Sequence, residues 1–135
     1  MEWMSKMKSN PERLRLGEMK IREILDQTGD QVRGNLADLA PDLATFVLEV
    51  IYGEIYQGDA LDAKSRQIAT VAALAALGNA QPQLRTHIAG ALNCGCTRAE
   101  IVQIMMQIAV FAGVPAAING VEAARAVFAR LDGDL

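Results

Sequence analysis

The sequence predicts an all-α protein, and three observations carry that expectation. Apolar residues recur three and four positions apart along most of the chain, without convincing alternation of period two. Residues suited to helix capping precede these stretches, and glycine or proline follows them. With 135 residues, 51% of them hydrophobic, and only 4 prolines, the chain suits one compact core. Residues 1–135 are therefore expected to form a single domain, with an N-terminal helical arm over 1–40 and a core over 41–131.

Six helices follow in order. Asn10 can cap the first, Pro11 takes its opening position, and Leu14, Leu16, Met19, Ile21, Ile24 and Leu25 recur at helical spacing until about Thr28-Gly29. A loop or short turn is expected next. Pro41 opens the second helix, where Leu43, Phe46, Val47, Val50, Ile51 and Ile55 form a broad apolar stripe and Gly58 is the terminator. Asp62 can cap the third, which is almost wholly apolar from Ile68 to Leu77 and is therefore expected at the centre, with Gly78 ending it. The fourth, from about Pro82 to Leu92, carries His87 and leads into the turn Cys94-Gly95-Cys96. Thr97 and Glu100 have capping-box spacing ahead of the fifth, which holds Ile101, Ile104, Met105, Ile108 and Val110 and stops at Gly113. Pro115 starts the last, which ends around Leu131.

Charge and hydropathy exclude several classes of function. Lys+Arg of 13 against Asp+Glu of 16 gives a net charge of -3, which repels a phosphate backbone, so nucleic acid is not an expected partner. Lys6, Lys8, Arg13, Arg15 and Lys20 interleave with Glu2, Glu12, Glu18 and Glu23, the pattern of a solvated helix face. The longest apolar run, Ile68 to Leu77, is about half of what a bilayer span requires, and no secretory leader is evident. The expected location is the cytoplasm, without membrane attachment, where two cysteines are free thiols or a transient redox pair. Little charge between Ile68 and Leu77, or between Ile101 and Ala112, points to a self-associating surface.

The only histidine, His87, lies at the edge of an apolar stripe, beside Leu84 and Ile88, and shares a helix side with Ala80, Gln83 and Ala91. It is either a hydrogen-bonded core residue or a proton-transfer group tuned by partly dry surroundings. Without a second histidine at helical spacing, no metal site is expected. Cys94 and Cys96 stand just before a helix N-terminus, where partial positive charge can lower a thiol pKa, so they are redox candidates. The alternative is that small residues fill a tight turn.

Between Arg66 and Phe128 four features occur in order: Arg66 opening an alanine-rich helix, Leu84-Arg85-Thr86-His87, the run Ala91-Leu92-Asn93 with Gly95, Thr97, Glu100 and Ile101, and Ala112-Gly113-Val114-Pro115-Ala116-Ala117. In that combination the chain resembles the carboxymuconolactone decarboxylase family. Phe46, Glu49, Tyr52 and Gly53 are compatible with the family's N-terminal region. The resemblance implies an all-helical subunit in a ring-like homo-oligomer, a trimer or hexamer. It also implies one of two chemistries: cofactor-free decarboxylation of 4-carboxymuconolactone in the protocatechuate branch of the β-ketoadipate pathway, or peroxide reduction by a C-x-x-C-x-x-x-H thiol motif.

With His87 as the motif histidine, the thiol positions fall at Gln83 and Ala80, and the relay glutamate near Gln67, so that motif is absent. The resemblance then implies the decarboxylase-like branch. His87 is the acid-base candidate, Arg66 the carboxylate clamp and Glu54 a weaker catalytic candidate, while Gln83, Arg85 and Phe111 are expected to contact substrate. Arg85 projects about 160° from His87, which favours Arg66 as the clamp. No cofactor is expected. Phe111 and Gln103 depart from the family's usual tyrosine and glutamate.

Overall fold

The computed structural model describes residues 9–134, so Glu2, Lys6 and Lys8 of the expected charged face lie outside the described residues. Every described element is helical: seven α-helices, one π-helical segment and one 3₁₀ turn. The chain divides into two compact units, the first ending at Leu61 and the second starting at Asp62.

In the first unit, α1 (Pro11–Leu25) starts as expected. The Asn10 side chain accepts from the backbone N–H groups of Glu12 and Arg13, each at 3.1 Å. It ends at Asp26, whose φ of 55° lies in the left-handed region. The segment expected to be a loop is instead a helix, α2 (Gly29–Leu36). Thr28 accepts from the Gln31 N–H, and the Gln31 side chain accepts from the Thr28 N–H at 2.7 Å. That reciprocal cap sustains a short polar helix whose sequence, GDQVRGNL, shows no apolar period.

The second expected helix is broken into three pieces. A short α3 (Pro41–Thr45) runs into a π-helical segment (Phe46–Tyr52), followed by a 3₁₀ turn at Ile55–Gln57, which Gly58 closes with its N–H on the Ile55 carbonyl. The buried residues are Ala44, Leu48, Glu49 and Tyr52, whereas Leu43, Phe46, Val47, Val50 and Ile51 are only half-buried and Ile55 is exposed. The wider π turn gathers Leu48, Glu49, Tyr52 and Gly53 closer to one face than about 3.6 residues per turn would. That face meets α1 backbone to backbone. A Cβ on Gly17 would strike the Leu48 carbonyl, and one on Gly53 the carbonyls of Arg13 and Glu49.

The second unit holds α4 (Ala63–Leu77), α5 (Gln81–Asn93), α6 (Arg98–Ala112) and α7 (Val114–Leu131). Asp62 caps α4 by accepting from the Ser65 N–H at 2.7 Å, and Gly78, with φ 79°, ends it. The α4 helix packs against α5, α6 and α7, which is the central place expected of it. Its burial is one-sided, however. Gln67, Val71 and Ala75 face inward, while Ala69, Ala73 and Ala76 remain exposed, because alanine is small enough to suit either environment; Leu77, in the last turn, is exposed as well. The core joins Val71, Leu84, Ile88, Ile101, Met105 and Val127. A Cβ on Gly120 would run into Met105, so α6 and α7 approach closely there. Among the described residues no helix is long and apolar enough to cross a membrane.

Candidate functional site

Packing of α4 on α5 brings Gln67 and His87 together. The amide oxygen of Gln67 lies 3.0 Å from His87 Nδ1, a contact that suits a ring carrying its proton at Nδ1, since a carbonyl oxygen only accepts. Gln67 is fully buried, while the imidazole is half-buried. Burial also pushes the His87 pKa below its ordinary value of 6.5, because the charged ring loses hydration. The Gln67 amide nitrogen is buried without an acceptor among the described residues. An unpaired buried donor costs about 1–3 kcal/mol, so glutamine is an expensive occupant of this position unless its oxygen is needed.

The other expected site residues fall in different places. Arg66 neighbours Gln67 on α4 and is half-buried, and its backbone carbonyl accepts from the Thr70 hydroxyl at 2.9 Å. Gln83 and Arg85 are both exposed on α5, Arg85 bordering a cleft of about 250 Å³ with Ala126, Val127 and Arg130. Phe111 is 85% exposed at the end of α6, and Gln103 is exposed on the same helix. Glu54 belongs to the first unit, where its exposed carboxylate accepts from Arg13 Nη1 at 3.2 Å.

The cysteine turn places its two thiols in different surroundings. Gly95, with φ 101°, turns the chain so that the Cys96 N–H reaches the Ala91 carbonyl at 2.9 Å, and the Cys96 side chain joins the core. Burial raises the Cys96 pKa and the Glu100 carboxylate adds to the rise, with Lys64 opposing. That direction runs against activation of Cys96 by the helix N-terminus. Neither cysteine is in a disulfide, and Cys94 is half-buried. Glu100 completes the expected capping box with Thr97 and also receives Lys64 at 3.1 Å. Those bonds hold its pKa low.

Two buried polar residues stand outside the expected set of site residues. One is Gln67; the other is Glu49 in the first unit, 1% exposed, which accepts from the Ser9 hydroxyl at 2.6 Å and from the Asn10 N–H at 3.2 Å. Arg13 Nη2 lies 3.8 Å away. Glu49 thus ties the start of α1 to the π segment. A sequence signal existed for Glu49, a charged side chain within the otherwise apolar run FVLEVIY, whereas Gln67 directly follows Lys64-Ser65-Arg66 and carries no such mark. Among the described residues no three His, Cys, Asp or Glu side chains converge as a metal would require.

Comparison with known proteins identifies relatives. The sequence model described as the carboxymuconolactone decarboxylase family matches residues 41–126, a span that crosses from the first unit into the second. An uncharacterized 15.0 kDa protein from the nqo9-nqo10 intergenic region of Paracoccus denitrificans is 36% identical over 95 residues, covering 70% of this chain and 71% of its own length. A 4-carboxymuconolactone decarboxylase of Acinetobacter baylyi is 29% identical over 113 residues, covering 84% of this chain and 78% of that protein. Peroxisomal protein 2 of Saccharomyces cerevisiae is 33% identical over 88 residues, 64% of this chain and 30% of its own.

Proposed function

The chain belongs to the carboxymuconolactone decarboxylase family, and from that premise we propose that it decarboxylates a small carboxylated lactone or related acid without a cofactor, with His87 as the proton carrier. The observation that carries the reading is the buried Gln67 amide bonded to the half-buried His87 ring at 3.0 Å. An imidazole that is held by one nitrogen and partly dry is oriented for transfer at the other.

The chemistry asks for few groups. The bond from a ring carbon to its carboxylate breaks, carbon dioxide leaves, and the electron pair spreads through the unsaturated lactone to the carbonyl oxygen. A proton from His87 then completes the product at carbon. A substrate carboxylate beside the ring favours its protonated form, so the proton is taken up from solvent as the anion binds. Arg66, beside Gln67 on α4, is the clamp for the carboxylate. Apolar walls disfavour the charged leaving group relative to neutral carbon dioxide.

The raised Cys96 pKa supports this reading over thiol chemistry at the Cys94-Gly95-Cys96 turn. We propose also that the chain forms a homo-oligomer in the cytoplasm. Exposed Val102, Met106, Val110, Phe111, Val114 and Ile118 support self-association, as do adjoining clefts of about 430 and 340 Å³ on α6 and α7. The decisive assay follows the lactone absorbance of 4-carboxymuconolactone with purified protein. Loss of signal that His87→Ala reduces by about 10²–10⁴-fold is expected, and equal turnover by that variant overturns the proton-carrier role.

A further inference from the structure

We propose that Gln67 is the positioning residue of the site: its carbonyl keeps a proton on His87 Nδ1 and thereby makes Nε2 the nitrogen that exchanges a proton with substrate. The 3.0 Å contact is made by an amide oxygen, which has lone pairs and no hydrogen, so it matches only a ring that carries its proton at Nδ1. The same bond survives when the ring gains a second proton, because imidazolium also carries Nδ1–H. An amide nitrogen turned toward the ring would match only the unprotonated Nδ1 and would be repelled on protonation. Gln67 in the observed orientation therefore holds the ring in one place through both halves of a proton-transfer cycle.

The burial of Gln67 strengthens the inference. Its side chain is fully enclosed, and its amide nitrogen has no acceptor among the described residues. A methionine or leucine of similar size would fill the space without stranding a donor, so what glutamine adds at this position is the acceptor for Nδ1–H. Being neutral, it orients the ring without trapping the proton there, as a carboxylate would. That Nε2 serves the reaction rests on the reading of His87 as proton carrier; the state of the ring does not.

The chain has one histidine, so protein labelled with ¹⁵N-histidine shows a single imidazole. At pH 8, nitrogen-detected couplings to the ring protons are expected to place the proton on Nδ1 and leave Nε2 bare. Gln67→Met should move the proton to Nε2, the form free imidazole prefers, and lower kcat more than it raises KM. Gln67→Glu should keep Nδ1–H and raise the ring's titration midpoint by about one unit or more, roughly tenfold in proton affinity. A wild-type ring protonated at Nε2, or an unchanged spectrum in folded Gln67→Met, overturns the proposal. Should circular dichroism show the methionine variant unfolded, an unchanged midpoint in Gln67→Glu overturns it instead. The spectra need no substrate, so an Nδ1–H ring in a protein inactive on the lactone would sink the decarboxylase reading alone.

Discussion

Gln67 Oε1 and His87 Nδ1, 20 positions apart in the chain, meet at 3.0 Å where α4 packs on α5. The contact converts an isolated imidazole into an oriented one. Its consequences extend to stability as well as to chemistry.

Burial depresses the folded pKa of His87, so the native state disfavours the proton relative to the unfolded chain, whose histidine titrates near 6.5. The sign follows from linkage: this contribution to stability is full above pH 6.5 and is lost as pH falls through the lower folded pKa. Urea unfolding measured from pH 8 to pH 5 should show wild-type stability declining below 6.5 more steeply than that of His87→Gln. Parallel profiles would show that the ring is not desolvated.

Glu49 holds the start of α1 through the Ser9 hydroxyl and the Asn10 N–H. Glu49→Ala removes the acceptor shared by both donors and leaves Arg13 without this neighbour, so a loss of about 1–3 kcal/mol is expected in denaturant titrations. Glu49→Gln retains an acceptor and should lose less. A neutral alanine variant would mean that the anchor contributes nothing net.

Cys96 is buried with a raised pKa, while Cys94 is half-buried. Iodoacetamide at pH 7.5, followed by intact mass, should modify Cys94 first and reach Cys96 at a comparable rate only in denaturant. Mild peroxide should leave the mass free of a two-hydrogen loss. Rapid native labelling of Cys96 would revive the thiol alternative.

Val110 is 74% exposed and Ile118 54% exposed, so charge placed there leaves the fold of the lone chain intact. If α6 and α7 carry the self-association surface, Val110→Asp should lower the mass measured by light scattering while leaving the circular dichroism unchanged. Wild-type protein that is already monomeric at tens of micromolar would remove the assembly proposal.

Much of the fold was legible because its signals are local. Asn10, Asp62 and Thr97 cap the helices they were expected to cap, and Gly78 and Gly113 end the helices they follow. The misses also have local causes. The GDQVRGNL helix has no apolar stripe to reveal it, and its one local mark is the Thr28–Gln31 capping box. Between Phe46 and Tyr52 the turn widens, so an expectation built on α spacing selects Val47, Val50 and Ile51, and the more buried residues are Leu48, Glu49 and Tyr52. For Cys96 the helix N-terminal position and burial act on the thiol in opposite directions, and the burial is visible only in the packing.

By itself the sequence determined the all-α class, most helix limits, the resemblance to the family and the choice of His87 as the group most capable of chemistry. Capping, period and side-chain type are properties of neighbours along the chain, and they can be read without coordinates. Only the tertiary structure decided what His87 touches, that Gln67 is completely enclosed, and that Cys96 belongs to the core. Those outcomes depend on which faces of separate helices meet, and on how far packing strips water from a polar group, and neither is a property of any one stretch of sequence.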